Sequence, residues 1–217
     1  YLASAEQCAQ VCDFFDRFTT PGNLVLVDPA MADNGLLYPA FDSGFPAEMA
    51  KVCAKADVIM PNITEACLLT GMPYKTSYDE AYIRELLEKL LALRCKTAVL
   101  TGVSFEEGKL GVVYLDQGGS SFSYFTRHCP QSYHGTGDLY SSTVLGGLMR
   151  GLSLGSALSL AADFVVTCIE ATSTAENARW YAVEFESQIP KLCAMLEEHI
   201  GAENRALNSV GDTVFTK

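Results

Sequence analysis

The chain has 217 residues, with 26 acidic and 15 basic side chains, three histidines and a formal net charge of −11. Hydrophobic residues make up 49% and charged residues 19%, which excludes a disordered, collagenous or low-complexity chain. A surface of this sign repels polyanions unless cations cluster, and none do, so nucleic acid is not an expected partner; a small phosphorylated ligand would have to meet backbone N–H groups or a metal ion. No uninterrupted apolar run approaches the roughly 18 residues of a membrane span, and the opening YLASAEQCAQ has neither the basic start nor the apolar core of a signal peptide. A soluble, cytoplasmic protein with no membrane partner is therefore the expectation.

Taken in order, Ser4 to Phe18 reads as a helix, opened by a Ser4/Gln7 capping-box pattern and carrying Ala5, Cys8, Val11, Cys12, Phe15 and Phe18 at helical spacing. Leu24 to Val27, closed by Asp28-Pro29, has the look of a buried parallel strand whose carboxyl end meets a polar loop. A loop to Pro39 and a short helix around Ala47 to Ala54 follow. Val58-Ile59-Met60 is the next strand, closed by Pro61-Asn62, and Thr64 to Thr70 a short helix ended by Gly71. Asp79 to Leu93 is strongly amphipathic, with Ile83, Leu86, Leu87, Leu90 and Leu91 on one face. Thr97 to Leu100 is a further strand, ending in Thr101-Gly102. Leu110 to Leu115 and Ser121 to Thr126 flank Asp116-Gln117-Gly118-Gly119-Ser120 as a hairpin. Arg127 to Gly137 reads as loop, helices fill most of Asp138 to His199, and the chain after Ile200 is polar and peripheral. Phe14, Phe15, Phe164 and Trp180 fall at helical positions and are assigned to packing.

The eight cysteines, Cys8, Cys12, Cys53, Cys67, Cys95, Cys129, Cys168 and Cys193, form no C-x-x-C pair and lie mostly in apolar stretches, the pattern of buried free thiols. The histidines His128, His134 and His199 complete no nucleophilic or metal-ligating arrangement. Strands alternating with helices imply βαβ units and a parallel sheet, read as one domain over 1–217. Ligands of such folds sit beyond the carboxyl ends of the strands, which directs attention to Asp28, Asn62, Thr101 and the loop before Asp138.

His134-Gly135-Thr136-Gly137-Asp138, followed by the apolar Leu139 to Leu148, has the composition of an anion-binding turn. Its glycines let successive N–H groups face one point, and the helix start adds partial positive charge. Asp138 has two roles open by spacing alone. It can stabilise the helix start, or it can receive the proton of a hydroxyl that attacks a phosphate.

Gly-Thr-Gly-Asp opening an apolar helix resembles the signature of the ribokinase-like small-molecule kinases. Asp28-Pro29-Ala30-Met31-Ala32-Asp33-Asn34-Gly35 followed by Tyr38 is similar to the DPVMGD-x-G…Y stretch of the pyridoxal kinase branch. Ala56-Asp57-Val58-Ile59-Met60-Pro61-Asn62-Ile63-Thr64-Glu65-Ala66 resembles its ADxITPNxxEA segment, and Leu68-Leu69-Thr70-Gly71 its LLTG ending. The resemblance runs from Tyr1 to about Leu196 and implies a ribokinase-like three-layer α/β/α fold with a mostly parallel central sheet and an antiparallel edge hairpin.

Residue by residue, the resemblance implies that Asp138 is the base taking the proton of a 5′-hydroxymethyl group. It implies that Gly135, Thr136 and Gly137 offer the N–H groups that neutralise the transferred phosphoryl. Asn62 and Glu65 would organise Mg²⁺ and its waters, with Asp28 and Asp33 near the cation and triphosphate. Tyr38, Thr101 and Gly102 would lie at the nucleotide, as would Ser123 to Arg127, including Ser123 and Arg127 themselves. Competing readings stay open: Asp28 ends a strand, Asn62 and Glu65 form a capping box, and Asp33-Asn34-Gly35 is a tight turn.

The implied activity is ATP-dependent phosphorylation of pyridoxal, pyridoxine or pyridoxamine, with MgATP, an open question over a monovalent cation, and a homodimeric assembly. The alternatives are a hydroxymethylpyrimidine (phosphate) kinase of the same fold, or a non-catalytic vitamer- or nucleotide-binding protein. The departures are Ala32 where the family prefers Gly, Met60 where relatives often place Thr, and a match that starts from about the fourth strand region. The last implies a chain incomplete at its amino end that keeps the nucleotide half of the site.

Overall fold

The computed structural model describes residues 1–131, 133–176 and 181–212. They fall into two compact units, Tyr1–Phe125 and Thr126–Lys217. Trp180, assigned to packing above, lies outside the described residues.

The first unit opens with α1 (Ala5–Phe18), capped by the Ser4 hydroxyl, which accepts from Gln7 N at 3.2 Å. Gln7 Oε1 reaches back to Ala3 N, one residue before the position a capping box requires. Cys8 is buried and Phe15 packs beside it, whereas Phe14 is exposed and lies against Phe18 with ring centroids 4.9 Å apart. The packing assignment thus fails for Phe14. At 100° per residue it sits about 120° round the helix from Cys8, while Phe15 returns to nearly the same face.

Then come β1 (Leu26–Val27), the short antiparallel pair β2 (Ala32–Asp33) and β3 (Leu36–Leu37), α2 (Phe45–Cys53), β4 (Val58–Ile59), α3 (Ile63–Thr70), α4 (Glu80–Leu91), β5 (Thr97–Val103), β6 (Lys109–Asp116) and β7 (Ser121–Arg127). The main sheet has the order β1-β4-β5-β6-β7. Neighbours β1, β4 and β5 run parallel, and β6 runs antiparallel to β5. This is the mixed α/β architecture with a mostly parallel sheet and an edge hairpin that the motifs implied.

The predicted inner face of α4 is confirmed, with Ile83, Leu86, Leu87 and Leu90 buried and Asp79 capping the helix through Tyr82 N. The β2–β3 ribbon is new relative to the sequence reading, which had a loop there with Asp33-Asn34-Gly35 as an alternative tight turn but no strands. Its connection is Asn34-Gly35, both at positive φ (52° and 81°), the backbone of a two-residue hairpin turn. Strand β5 also outruns its predicted end at Leu100. Gly102 adopts φ +71° and the register shifts between Thr101 and Val103, so a bulge carries the chain on and returns Val103 to the core. Asp57 pins the opposite strand ends: its carboxylate accepts from Val25 N at 2.8 Å and pairs with Lys96 at 2.7 Å.

The second unit contains α5 (Thr136–Met149), α6 (Leu154–Thr174), a 3₁₀ turn (Glu186–Gln188) and α7 (Ile189–Asp212). Gly147 lets α5 approach α6 closely; a Cβ there would stand 3.1 Å from that of Ala157. Residues 201–206 are mostly exposed, as a polar periphery implies, and the chain there is helix through Asp212, with Glu203 tied to the start of α6. By length and composition α6 could cross a membrane, contrary to the sequence reading. Only Asp163 and Glu170 interrupt its apolar, Ser- and Thr-containing run. Within this fold it buries Leu158, Leu160, Phe164 and Cys168.

All eight cysteines are free. Five are buried, Cys12 and Cys129 are half-buried, and Cys193, on the outer side of α7, departs from the buried expectation.

Gly111 on β6 lies where β7 crosses closest. An added Cβ would collide with Tyr124 O and stand 2.8 Å from Phe125 Cα. Gly111→Ala is expected to lower stability by about 3 kcal/mol in urea unfolding, whereas Gly22→Ala, with nothing within 4 Å, shifts it by less than about 0.5 kcal/mol.

Candidate active site

In the first unit the polar residues singled out by sequence gather at the carboxyl ends of the strands. Asn62 follows β4 and caps α3, its Oδ1 accepting from Glu65 N at 2.9 Å. Its Nδ2 donates to Ala32 O at 2.8 Å, and its backbone forms a parallel bridge with Thr101. Thr101 N donates to Pro61 O at 3.0 Å, placing the tips of β4 and β5 side by side. Met60, one of the departures, is buried and continues the β1–β4 ladder through its N–H to Val27 O.

Glu65 is 3% exposed. Its Oε2 accepts from Asn62 N at 2.9 Å, and Oε1 accepts from Met31 N at 3.0 Å and Ala32 N at 3.4 Å. The capping-box reading of Asn62 and Glu65 is therefore realised, and the same carboxylate also ties down the loop after β1. Burial pushes the Glu65 carboxyl up to about 7; the amides of Asn62 and Met31 oppose the rise, and the negative charge of Asp28 adds to it.

Asp28 is half-buried directly after β1. Asp33 is exposed on the β2–β3 ribbon, its carboxylate accepting from Asn34 N at 2.9 Å and Asn34 Nδ2 at 3.1 Å, as in the tight-turn reading. Among the described residues no three His, Cys, Asp or Glu side chains form a group able to hold a metal, so Asp28, Asp33 and Glu65 are not a cation cage. The donor set still fits magnesium, which takes one or two carboxylates and completes its shell with water and phosphate oxygens. Asp28 and Glu65 are two carboxylates close enough for the charge of one to destabilise the charge of the other, an arrangement a cation relieves.

Tyr38 is 37% exposed beside the ribbon, with its N–H on Met31 O at 2.9 Å. Gly102 is exposed in the β5 bulge. Ser123 opens onto a trough of about 270 Å³ bounded by Arg84 of α4 and by Phe105, Val113 and Phe125.

In the second unit Gly135 takes φ +85° and begins α5 with no side-chain cap. Thr136 Oγ1 donates to Tyr133 O at 3.2 Å, and the first helical bond is Leu139 N to Gly135 O at 2.9 Å. The amides of Thr136, Gly137 and Asp138 thus precede the helical ladder and have no intrahelical acceptor. Gly135, Gly137 and Asp138 are all exposed, as is His134. Among the described residues the Asp138 carboxylate has no hydrogen-bond or ion-pair partner. Gly137 has ordinary helical backbone and nothing within 4 Å of an added Cβ, so packing does not demand a glycine there. Arg127, expected at the nucleotide, pairs with Glu170 of α6.

Residues 1–181 match the family described as phosphomethylpyrimidine kinase. The chain belongs to that family. Among solved structures it is similar to a putative phosphomethylpyrimidine kinase from Bacteroides thetaiotaomicron, crystallised with pyridoxal: 34% identity, TM-score 0.83, 88% of this chain and 68% of that one. It is 29% identical over 184 residues to the pyridoxine/pyridoxal/pyridoxamine kinase of Bordetella avium, covering 82% of this chain and 60% of the relative. It is 30% identical over 177 residues to the hydroxymethylpyrimidine/phosphomethylpyrimidine kinase of Haemophilus influenzae, covering 77% of this chain and 62% of the relative. The chain thus spans about three fifths of the length of these two relatives.

Three contributors to this candidate site escaped the sequence reading. Met31 and Ala32 act through backbone N–H groups, which no side-chain pattern reveals. Thr64 accepts from Gly35 N at 3.0 Å and anchors the ribbon turn. The Asn34-Gly35 pair was the available signal for that turn.

Replacing Glu65 by Ala leaves three buried or half-buried amides without their acceptor, for an expected loss of about 3 kcal/mol in urea unfolding. Because its pKa is about 7 folded against an ordinary 4.5, Glu65 contributes most below pH 4.5, and that contribution drains away as pH rises through 7. The difference in stability between wild type and Glu65→Gln is accordingly expected to shrink over that window.

Proposed function

We propose that this chain belongs to an ATP-dependent kinase that phosphorylates the 5′-hydroxymethyl group of a B6 vitamer, pyridoxal, pyridoxine or pyridoxamine. The observation that carries the reading is the start of α5: three amides ahead of the helical ladder, an uncapped glycine in the left-handed conformation, and an exposed, unpartnered Asp138. Amides of this kind stabilise a phosphoryl group carrying growing negative charge. A carboxylate is a poor ligand for an anion, but it suits a group that takes a proton from an alcohol.

In the proposed reaction the Asp138 carboxylate accepts the hydroxyl proton as the substrate oxygen bonds to the γ-phosphorus. The bond from that phosphorus to the β,γ-bridging oxygen breaks, and ADP leaves. Thr136 and Gly137 donate their N–H groups to the transferring phosphoryl, and the bare Cα of Gly137 admits close approach. Magnesium, held through Asp28 and with its water shell under the charge of Glu65, would supply charge neutralisation on the polyphosphate. Asn62 and Glu65 keep the loop carrying Asp28 in place through the amides described above.

A hydroxymethylpyrimidine kinase is the second reading, favoured by the similarity to the Haemophilus influenzae enzyme. Both alcohols are primary hydroxymethyl groups on heteroaromatic rings, so the same transfer groups serve either.

ADP release by the full chain with MgATP and each alcohol in turn tests both: a turnover preference for pyridoxal supports the first reading, a preference for hydroxymethylpyrimidine the second. Asp138→Asn is expected to cut turnover by about a thousandfold or more while ATP affinity changes by less than about threefold. Gly137→Ala is expected to raise helix stability by about 0.5 kcal/mol yet weaken ATP binding at least about tenfold. Unchanged ATP binding in that variant would place the phosphates elsewhere.

A further inference from the structure

Helix α7 lies wholly outside the residues matched to the family, yet it is bonded into the second unit along its length. Near its far end Glu203 accepts from the hydroxyls of Ser153 and Ser156, each at 2.5 Å, and from Ser153 N at 3.1 Å. Ser153 is itself the cap of α6, so Glu203 acts as a second cap supplied by another helix. One turn earlier His199 Nε2 lies 3.5 Å from Ser159 Oγ, and its Nδ1 lies 2.9 Å from Met195 O. Ser153, Ser156 and Ser159 thus form a polar stripe at i, i+3 and i+6 on α6 that meets His199 and Glu203 at i and i+4 on α7. Arg150 and Glu197 approach to 3.7 Å beside it.

The near end of α7 bears on different ground. Leu192 and Met195 pack on the core formed by Phe164, Cys168 and Val183, and so do Tyr133 and Leu139, which bracket the Gly135–Asp138 turn. Two hydrogen bonds extend this core to the turn: Val183 N donates to His134 O at 3.4 Å, and Thr136 Oγ1 donates to Tyr133 O. A third, Glu184 N to Thr172 Oγ1 at 2.9 Å, holds the Val183 segment to α6.

We infer that α7 is a strut for the Gly135–Asp138 turn, and that Glu203 is a positioning residue for phosphate capture, holding the strut in place by accepting from Ser153 and Ser156. The inference rests on the phosphate-binding reading of that turn. Glu203 touches no reacting atom; it acts through α7 and the Phe164 core.

Amide hydrogen exchange on the full chain, read over 134–139 and 189–206 with and without inorganic phosphate, tests this. Glu203→Ala is expected to speed exchange by about tenfold at Leu192–Met195 and at Leu139, whose amide bonds Gly135 O, and to weaken the phosphate protection of the otherwise unbonded Thr136, Gly137 and Asp138 amides by a similar factor. In Glu203→Gln the amide oxygen still accepts and the serine hydroxyls rotate, so both segments are expected to return to within about threefold of wild type. Ser156→Ala removes one donor and gives a milder change of the same pattern, which keeps the test open should Glu203→Ala not fold. Faster exchange confined to α7, with the turn at its wild-type rate, would overturn the strut. If phosphate fails to protect the turn in the wild type, the phosphate reading falls; the comparison without phosphate still decides whether α7 supports the turn.

Discussion

The carboxylate of Glu65, in the first turn of α3, ties the end of β4 beside it to the loop after β1, more than thirty residues earlier in the sequence. Those two segments contribute three backbone N–H groups, from Met31, Ala32 and Asn62, that would otherwise lack an acceptor, and such groups are expensive to leave unpaired. One side chain satisfies all three. Asn62 completes the knot by caps on one side and a bond to Ala32 O on the other, and its backbone bridge to Thr101 extends the knot to β5. Asp28 lies in the loop that this constraint helps to hold, together with the bonds accepted by Met31 O and Ala32 O. Glu65 also carries its charge at a cost: burial and Asp28 both work against ionisation.

The second unit shows the opposite condition. The start of α5 has donors ahead of the ladder, no side-chain cap, and an acid in its first turn. Helix starts normally acquire a Ser, Thr, Asp or Asn cap, and α1, α3, α4 and α6 all have one. α5 begins instead on a bare left-handed glycine, and α2 on an uncapped glycine, Gly44, in right-handed backbone. Gly137 sharpens the point, because no neighbour requires it to be glycine. In the strand-tip knot polar groups satisfy one another; at α5 the first amides have no intrahelical acceptor.

Membership of the phosphomethylpyrimidine kinase family brings together relatives named for two different rings. In the proposed reaction the residues at the strand tips and the start of α5 handle phosphate, cation and proton, which are common to both rings, so the choice of ring would come from other contacts. Beyond the family match, α7 is fastened to α6 by a carboxylate and two serines and packs on the core beneath the glycine turn.

Much of this was legible in the linear sequence because it depends on local rules. Period-3.6 apolar spacing located α1 and α4, short runs of three or four mostly apolar residues located the parallel strands, and a glycine-rich polar stretch located the β6–β7 turn. Asn62-x-x-Glu65 could be read as a capping box and Gly135 to Asp138 as a glycine turn opening a helix from residue type and spacing; that Gly135 and not Asp138 takes the cap position came from the structure. What tertiary structure alone decided involved partners distant in the chain. The second bond of Glu65 goes to amides near position 31, Arg127 turns to Glu170, and α7 outlasts its weak local signal because Glu203 finds Ser153 and Ser156. Phe14 and Phe15, adjacent and chemically alike, end on different faces of one helix, since burial depends on where a neighbouring element lies. Sequence sets which groups need partners; only the folded chain determines which partners they find, because backbone donors look the same at every residue until the fold brings an acceptor to them.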